Sequence, residues 1–494
     1  IAQDALQAVL APYVGQSLTL AQLQQATLAL EHHYQTQGWY ARALLPQQDV
    51  TEGRIRIQIV EGRWGQSHLV PAPQGTAGRA DATAVQRLVT ARLHTGQPLS
   101  SADLERGLLL ANDLPGIQAS GVLKAGQQVG HTDLHITVQD TPFITGDVGL
   151  SNYGLRYTGK AQLSGGLALN NLNGRGDQLA LRLLGAAHLN SVLARYSLPL
   201  GDDGLRLAGW ASRMGYTLAG NYQPLQAEGS AWNYGLSLSY PLLRQERRNL
   251  TLEGSVQQRR FSDDMLQAPA RRQHVNTASL ALSGNLTDAW AGGGYSWASA
   301  HWSVGQLRMT DTNGDTLLDA AGPRTQGSYH KLHLHLARLQ NLGGPWQMLG
   351  SAAAQWSNRN LASSERMTLG GPDQVRAYPI NEGAGDQGLL LKLQLQHQLT
   401  PSWQAQLFYD WGSIRQYHRV WAGWNAASGQ PNRYHLAGWG IGLAWQGQGR
   451  ASGWRMHASI ATPTGSNAGH QQQRNSDGSS LRSARGWINV SYSF

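Results

Sequence analysis

The pattern of apolar and polar residues changes near position 140. Before it, apolar side chains recur at helical spacing, as in Leu23, Ala26, Leu30 and Tyr34. After it, apolar and polar residues alternate over many short segments. A spacing of three to four residues predicts an amphipathic helix, and strict alternation predicts a strand with one apolar and one polar face. The chain is therefore predicted to have an α+β part followed by a long all-β part.

The first 140 residues predict two similar units in tandem, each with two helices followed by strand. We expect the first unit over residues 1–63 and the second over 64–140. The helices are predicted at 4–11, 20–34, 82–93 and 101–114, and the strands at 54–60, 118–124 and 132–138.

The remaining chain, residues 141–494, predicts about sixteen strands, an even number as in closed single-chain barrels. Short connections alternate with long ones, which is typical of outer-membrane barrels with short periplasmic turns and long external loops. A soluble β-sandwich would also alternate, but it would bury its apolar faces against a second sheet. The long connections are predicted at 219–230, 262–274, 311–328, 359–387, 415–433 and 463–485.

The final strand shows the alternation most clearly. Ile488, Val490, Tyr492 and Phe494 share one face, and polar residues with Trp487 share the other. The same division recurs where Leu391, Leu393 and Leu395 oppose Lys392, Gln394 and Gln396. We expect the apolar faces to meet lipid, the aromatic rings to sit at the headgroups and the polar faces to line a wet lumen.

Composition agrees with this prediction. No segment reaches the about 18 consecutive apolar residues of a spanning helix, whereas Gly 59, Trp 17 and Tyr 17 against Phe 4 suit many turns and interfacial aromatics. The formal net charge of +9 is spread along the chain, so we interpret it as a basic lumen and basic loops rather than a nucleic-acid surface. The sequence starts without a signal-like segment, so a leader is expected to have been removed or to lie outside this numbering.

The N-terminal residues APYVGQSLTLAQLQQATLALEHHYQTQGWYARALLPQQDVTEGRIRIQIVEGRW resemble the first polypeptide-transport-associated (POTRA) domain of two-partner secretion transporters, which export haemolysins, adhesins and contact-dependent toxins. The stretch LLLANDLPGIQASGVLKAGQQVGHTDLHITV is similar to their second POTRA domain. The first match starts at a helix, so this domain is expected to be N-terminally incomplete. The resemblance implies α+β periplasmic POTRA domains followed by an all-β 16-stranded antiparallel transmembrane barrel.

The segment from Gly370 to Pro379 is similar to the family's conserved loop, which folds back into the barrel after the eleventh strand. The matching residues are Val375, Arg376 and Tyr378, and Ala377 stands where the motif has glycine, the residue that most readily takes a positive φ. The resemblance implies an inward-folded loop, 359–387, whose arginine pairs with an acidic residue of the inner wall.

The alternation of side chains between the two faces of a strand (odd and even positions, or parity) supplies a candidate for the acidic partner. In the strand from Trp403 to Gly412 the odd positions are bulky and apolar, so Gln404, Gln406 and Asp410 are predicted to point inward. Phe408, Asp410 and Gly412 also resemble the family's inward wall motif. We therefore predict a charge-assisted contact between Arg376 and Asp410 that pins the loop. The alternative is that both charges are separately solvated in the lumen.

Other polar clusters favour ordinary structural roles. Residues 311–315 begin like a calcium loop, but Thr316 and Gly322 stand where the turn glycine and the bidentate glutamate belong. His333 and His335 lie two apart on one strand face and, with His330, could suggest a metal site, but we interpret them as residues that line the lumen. No nucleophile-elbow or metalloprotease motif is present. We expect no metal, no cofactor and no enzymatic activity.

The resemblance implies a transporter of the Gram-negative outer membrane that captures an unfolded exoprotein in the periplasm and secretes it without ATP. Its expected partners are a large β-rich exoprotein, outer-membrane lipid and the barrel assembly machinery, for which Tyr492 and Phe494 form the assembly signal; a monomer without nucleic acid is expected. An insertase of the same superfamily and a passive diffusion porin are the alternatives. A porin would leave residues 1–140 without a role.

Overall fold

The computed structural model describes residues 1–71, 78–128, 130–310, 314–470 and 474–494. Two small α+β units precede a closed β-barrel. Within the described residues, no helix is long and apolar enough to cross a membrane.

The first unit pairs helices with a small antiparallel sheet. Helix α2 begins after Thr19, whose side chain accepts from the Gln22 N–H while the Gln22 side chain accepts from the Thr19 N–H, an arrangement that satisfies two free donors of the first turn. Its inner face buries Ala26, Leu30 and Tyr34. The predicted strand 54–60 was too long and its partner was missed. The elements are α1 Gln3–Leu10, α2 Leu20–Thr36, β1 Ala41–Leu44 and β2 Gln58–Glu61.

The second unit is a three-stranded sheet with the order β3, β5, β4, covered by two helices. Its core is apolar and fully enclosed, with Trp64, Leu99, Leu134 and Ile136 almost inaccessible to solvent. Strand β3 was not predicted from the sequence because a register shift between Trp64 and Ser67 breaks its alternation. The elements are β3 Arg63–Leu69, α3 Ala82–Thr90, α4 Ser101–Asn112, β4 Ile117–Ala125 and β5 His131–Asp140.

Across the described residues, sixteen antiparallel strands, β6 to β21, close into one barrel, with β21 pairing back to β6. The predicted fold class and strand number are confirmed. The strands are β6 Ile144–Ser151, β7 Gln162–Asn170, β8 Gln178–Ala186, β9 Leu189–Leu200, β10 Leu205–Thr217, β11 Glu228–Arg244, β12 Arg248–Met265, β13 Ala268–Asp288, β14 Gly294–Thr310, β15 Gly327–Gly343, β16 Trp346–Ser357, β17 Gln387–Gln398, β18 Trp403–Arg415, β19 Arg433–Gln446, β20 Trp454–Pro463 and β21 Arg485–Ser493.

The outer face of the barrel is apolar and the inner face is mixed. Leu336, Leu393 and Ile460 are at least half exposed on the outside, whereas Gln406 and Asp410 are buried inside. The amphipathic alternation thus separates a lipid side from a lumen side.

One predicted loop is wrong. Residues 262–274 form the end of β12 and the start of β13, joined by a tight hairpin at Leu266 and Gln267, which have φ of 51° and 61°. Paired positive φ values are typical of two-residue hairpin turns, where Asn and Gly are usual, so Leu-Gln gave no turn signal. In the predicted 311–328 loop, residues 311–313 of the calcium-like segment lie outside the described residues, and α5 spans Asp315–Ala321.

Candidate functional site

The segment between β16 and β17, residues 358–386, lies inside the barrel and is called the inner loop below. Its buried side chains Leu369, Val375 and Tyr378 form one cluster with residues on the inward faces of β18 and β19, among them Phe408 and Leu436. Apolar packing therefore holds the loop against one side of the lumen wall.

Arg376 of the inner loop and Asp410 of β18 form a bidentate ion pair. Arg376 Nε donates to Asp410 Oδ2 at 2.8 Å and Nη2 donates to Oδ1 at 2.9 Å. The Arg376 backbone N–H also donates to Oδ2 at 3.1 Å. Arg376 is 3% exposed and Asp410 is 0% exposed, so neither charge is separately solvated. Asp410 thus accepts three hydrogen bonds, two of them from the charged guanidinium, and these bonds hold its carboxylate in a fixed position.

The other nitrogen of the Arg376 guanidinium, its planar face and its backbone carbonyl also have partners. Its Nη1 donates to Gln394 Oε1 of β17 at 2.8 Å, and its guanidinium carbon lies 3.2 Å from the centre of the Phe408 ring. Its backbone carbonyl accepts from Trp487 Nε1 at 2.7 Å. One loop residue thus connects β17 and β18 with the closing strand β21.

Small residues make room for this contact. A Cβ atom on Gly438 of β19 would lie 2.4 Å from the Ala377 Cβ, and one on Gly412 would lie 2.6 Å from Leu369 Cδ2. Ala377 is not among the residues with positive φ, so the loop needs no glycine there. The wall glycines, rather than a loop glycine, permit the close approach at these positions.

Glu365 ties the start of the inner loop to the other side of the barrel. Its side chain is 2% exposed and forms ion pairs with Arg259 of β12 and with Lys331 of β15, the latter at 2.8 Å. Its backbone carbonyl accepts from Gln355 Nε2 at 3.0 Å. Two cationic partners stabilise the buried Glu365 carboxylate, because a buried charge without a partner is energetically costly.

Asp386 and Glu382 tie the end of the inner loop to external loops. Asp386 accepts from the Leu361 N–H, from Arg366 Nε and from the His418 N–H at 2.8–3.1 Å. Glu382 accepts from Asn467 Nδ2 at 2.7 Å and from the Ser476 N–H at 2.9 Å, and lies 2.9 Å from His470 Nε2. Both carboxylates are 0% exposed.

The other predicted residues lie apart from this cluster. Tyr492 and Phe494 are on the outer face of the closing strand, with ring centres 6.3 Å apart, and Phe494 is 56% exposed. His333 and His335 face inward, whereas His330 stacks outward on Trp302. In the described part of the chain, no three His, Asp or Glu side chains form a group that could hold a metal ion.

Sequence reasoning missed Gln394, Trp487, Glu365, Glu382 and Asp386 as contacts of the loop. Parity already placed Gln394 and Trp487 on inward faces, which was a usable signal. The three acids gave none, because their partners come from distant strands and external loops.

Comparison with known proteins gives two family matches. Residues 130–445 match the model described as haemolysin secretion/activation protein ShlB/FhaC/HecB, and residues 1–62 match a POTRA domain of the ShlB type. The heme/hemopexin transporter protein HuxB of Haemophilus influenzae strain 86-028NP is 27% identical over 477 residues, which covers 94% of this chain and 82% of HuxB. The outer membrane transporter CdiB of Dickeya dadantii strain 3937 is 27% identical over 407 residues, or 81% of this chain and 69% of CdiB.

Solved structures share the fold. CdiB from Escherichia coli has a TM-score of 0.74 at 20% identity, covering 100% of this chain and 88% of that one. BamA from Haemophilus ducreyi lacking POTRA domains 1–3 has a TM-score of 0.57 at 14% identity, covering 97% and 95%. At these identities the likeness concerns architecture, a POTRA region joined to a sixteen-stranded barrel.

Proposed function

Because the chain belongs to the ShlB/FhaC/HecB family of haemolysin secretion and activation proteins, we propose that it captures one unfolded exoprotein in the periplasm and passes it outward past the inner loop. The membership rests on the match over residues 130–445. The protein is an outer-membrane β-barrel transporter of two-partner secretion, with its POTRA region in the periplasm. The resemblance inferred from the sequence is thereby confirmed.

The alternative functions are not favoured. An insertase of the same superfamily would share the barrel, but the matched family and the relatives HuxB and CdiB are transporters. A diffusion porin would not account for the POTRA match over residues 1–62. The family is one of transporters, and we propose that the chain has no enzymatic activity.

We assign capture to two POTRA domains, residues 1–63 and 64–140, and passage to the barrel, residues 141–494. Both POTRA sheets have edge strands, and an edge holds an extended segment by main-chain hydrogen bonds without requiring one sequence. Part of the β4 edge is already covered, because the Asn112 amide bonds both the N–H and the carbonyl of Ala119. We therefore place capture away from Ala119.

The observation that carries the proposal for passage is the buried Arg376 and Asp410 pair. It fixes a folded loop inside the lumen of a protein whose family moves polypeptides. For an extended chain to pass, the inner loop must rearrange, so this contact acts as a latch in the proposed cycle. The inward glutamines of β17 and β18 offer many weak hydrogen bonds to a passing backbone.

We further propose the nature of the partners. The cargo is a large, β-rich exoprotein whose folding outside the cell draws it through the barrel, without ATP. Tyr492 and Phe494 present their rings to lipid and to the barrel assembly machinery, and the transporter works as a monomer. Neither a cofactor nor a nucleic acid takes part.

Deletion of residues 1–140 tests the division of labour. The barrel's backbone hydrogen bonds close on themselves, so the truncated barrel is expected to assemble. Secretion of the cognate exoprotein should be lost while the heat-modifiable barrel remains in outer-membrane fractions. Normal export by the truncated barrel would contradict the capture role.

A further inference from the structure

A row of cationic and aromatic side chains crosses the outer, lipid-facing surface of five adjacent strands. Strand register places each member directly opposite the next: Arg213 pairs with Trp232, Trp232 with Arg260, Arg260 with His274, and His274 with Arg308. Adjacent strands are about 4.8 Å apart, so the row is about 19 Å long. It is called the outer arginine row.

Within the described residues, no acidic side chain neutralises the three arginines of the row. Arg213, Arg260 and Arg308 are exposed, and among the described residues none of them forms an ion pair. Arg213 lies 5.5 Å from the Trp232 ring centre. Arg260 Nη2 donates to Gln258 Oε1 at 3.0 Å, and Arg308 Nη2 donates to Gln306 Oε1 at 3.2 Å.

A row of neutral polar side chains lies one step closer to the membrane centre. Its register runs across Tyr234, Gln258, Asn276, Gln306 and Ser328. Gln258 Nε2 donates to Asn276 Oδ1 at 2.7 Å, so neighbouring amides orient one another. Amide groups so placed can both donate to and accept from a sugar or an acyl carbonyl.

The next row toward the membrane centre is apolar, and together with the amide row it lines a groove of about 540 Å³. The outer arginine row lies just beyond the amides, at the outer end of this groove. The floor of the groove is formed by Leu236, Val256, Ala278 and Val304, directly below the amides. Along one strand a ligand would therefore meet hydrocarbon, then amides, then guanidinium groups. This order matches that of a lipid molecule from its chains to its headgroup.

The position of the row corresponds to the outer leaflet. Strand β12 starts at Arg248, in a turn that contacts the second POTRA unit through Glu105 and Glu246, and it runs away from the periplasm to the hairpin at Leu266. Leu250 and Arg260 are ten residues apart, or about 33 Å along the strand. With a tilt of about 40° this is roughly 25 Å of height, the thickness of the apolar band.

We propose that this groove, together with the outer arginine row at its end, binds a phosphorylated, multiply acylated glycolipid of the outer leaflet, of the lipopolysaccharide type. The arginines take its phosphates, because the planar guanidinium fork matches phosphate oxygens. The amides contact its sugars, and the apolar floor takes an acyl chain. Nearby acids do not compete for the arginines, since Asp264 is paired with Arg272 and Glu228 lies four residues from Trp232, at the start of β11.

The test uses the purified full-length chain in detergent and measures binding of bis-phosphorylated lipid A by native mass spectrometry. The combined change Arg213→Gln, Arg260→Gln and Arg308→Gln should weaken binding at least about tenfold, because three cationic partners are lost. The matched control removes three inward arginines by Arg182→Gln, Arg195→Gln and Arg455→Gln, and should stay within about twofold.

The proposal would be overturned by unchanged binding in the triple variant or by an equal loss in the control. Equally tight binding of dephosphorylated lipid A, or of phosphatidylglycerol, would overturn it as well. Displacement of lipid A by millimolar inorganic phosphate would also overturn it, because it would indicate a phosphate site that takes no acyl chain. If the triple variant fails the heat-modifiability check for assembly, Arg260→Gln replaces it, with at least about a threefold loss expected.

Discussion

At the scale of single residues, the contact between Arg376 and Asp410 joins two opposite charges in the lumen that are both almost fully buried. The two side chains are 4% and 1% exposed. Burial of two charges is costly, and here the cost is offset by the bidentate geometry, by the hydrogen bond that Arg376 donates to Gln394 and by the one that the loop backbone donates to Asp410. Breaking one side of such a pair leaves a buried charge without compensation.

We predict that Arg376→Ala loosens the inner loop by about 3–5 kcal/mol, the usual cost of removing one partner of a buried pair. Asp410→Ala should give the same defect. The double change should cost little more than either single change, because both residues act on one contact. Secretion and protease accessibility of the loop are the measurements, with assembled barrel as the control.

Fully additive effects in this double-mutant cycle would mean that the two residues act independently. The latch role would then be wrong even though the ion pair exists. Arg376→Lys refines the test: lysine keeps the charge but loses the fork, so it should restore only part of the function.

The wall glycine Gly438 allows a second prediction. A Cβ there would lie 2.4 Å from the Ala377 Cβ, so Gly438→Val should push the loop off the wall at a cost of about 1–3 kcal/mol. The chain has no cysteine, so maleimide labelling of a single Gln374→Cys reports loop exposure. Labelling should speed up with Gly438→Val and stay unchanged with Gly350→Val, where a Cβ meets open space. Equal rates would count against this packing.

At the scale of elements, Asp203 in the turn between β9 and β10 is one of the residues that join the second α+β unit to the barrel. Asp203 accepts from Arg92 Nε and Nη2, each at 3.0 Å, and also contacts Arg106 and Tyr240. Burial raises the pKa of Asp203, but the hydrogen bonds from Arg92 and Tyr240 outweigh burial, so the pKa lies below the ordinary carboxyl range.

The lowered pKa predicts how this junction depends on pH. A carboxyl with a depressed pKa contributes fully above its ordinary value of about 4, and the contribution is lost as pH falls through the lowered pKa. Asp203→Asn should therefore loosen the junction at neutral pH, and the difference from wild type should shrink in acid. With spin labels on Lys124→Cys and Pro401→Cys, the Asp203→Asn variant should show a broader distance distribution than wild type at neutral pH.

The neighbouring Asp202 is the control for that experiment. It pairs with Arg87 at 3.5 Å, and both side chains are about half exposed, so its contact contributes little. Asp202→Asn should leave the distance distribution as in wild type. An equal broadening in both variants would show that the turn's charge, and not the Asp203 contact, matters.

Some strands and contacts could be predicted from the sequence, and others could not. The barrel strands followed from alternation, because one face meets lipid and the other water. Strand β3 was missed because its bulge at Trp64 breaks the period, and the Leu266 hairpin was missed because its residues are not usual turn formers. Asp410 followed from parity, but Glu365, Glu382 and Asp386 are buried only by long-range closure, which no local pattern encodes.

At the scale of the whole molecule, the barrel depends on the closure of β21 onto β6. This ladder pairs Asn489–Ser493 with Ser151–Asp147, fewer residues than the β6 and β7 ladder beside it. Phe494 and Gly146 exchange two backbone hydrogen bonds at 2.9 Å and so extend it. The Trp487 indole, which donates to Arg376, joins the same closing strand to the inner loop.

The closing strand gives the last prediction. Phe494→Ala keeps the backbone bonds to Gly146 but removes an aromatic ring that is 56% exposed on the lipid side and stacked on Tyr492. If the assembly machinery recognises that ring, the amount of heat-modifiable barrel should fall several-fold, while secretion per assembled barrel stays constant. Trp454→Ala removes another outward ring next to Tyr492 and should have the smaller effect. A loss of transport per barrel without a loss of barrel would instead assign Phe494 to the transport step, since the closing strand also reaches the inner loop through Trp487.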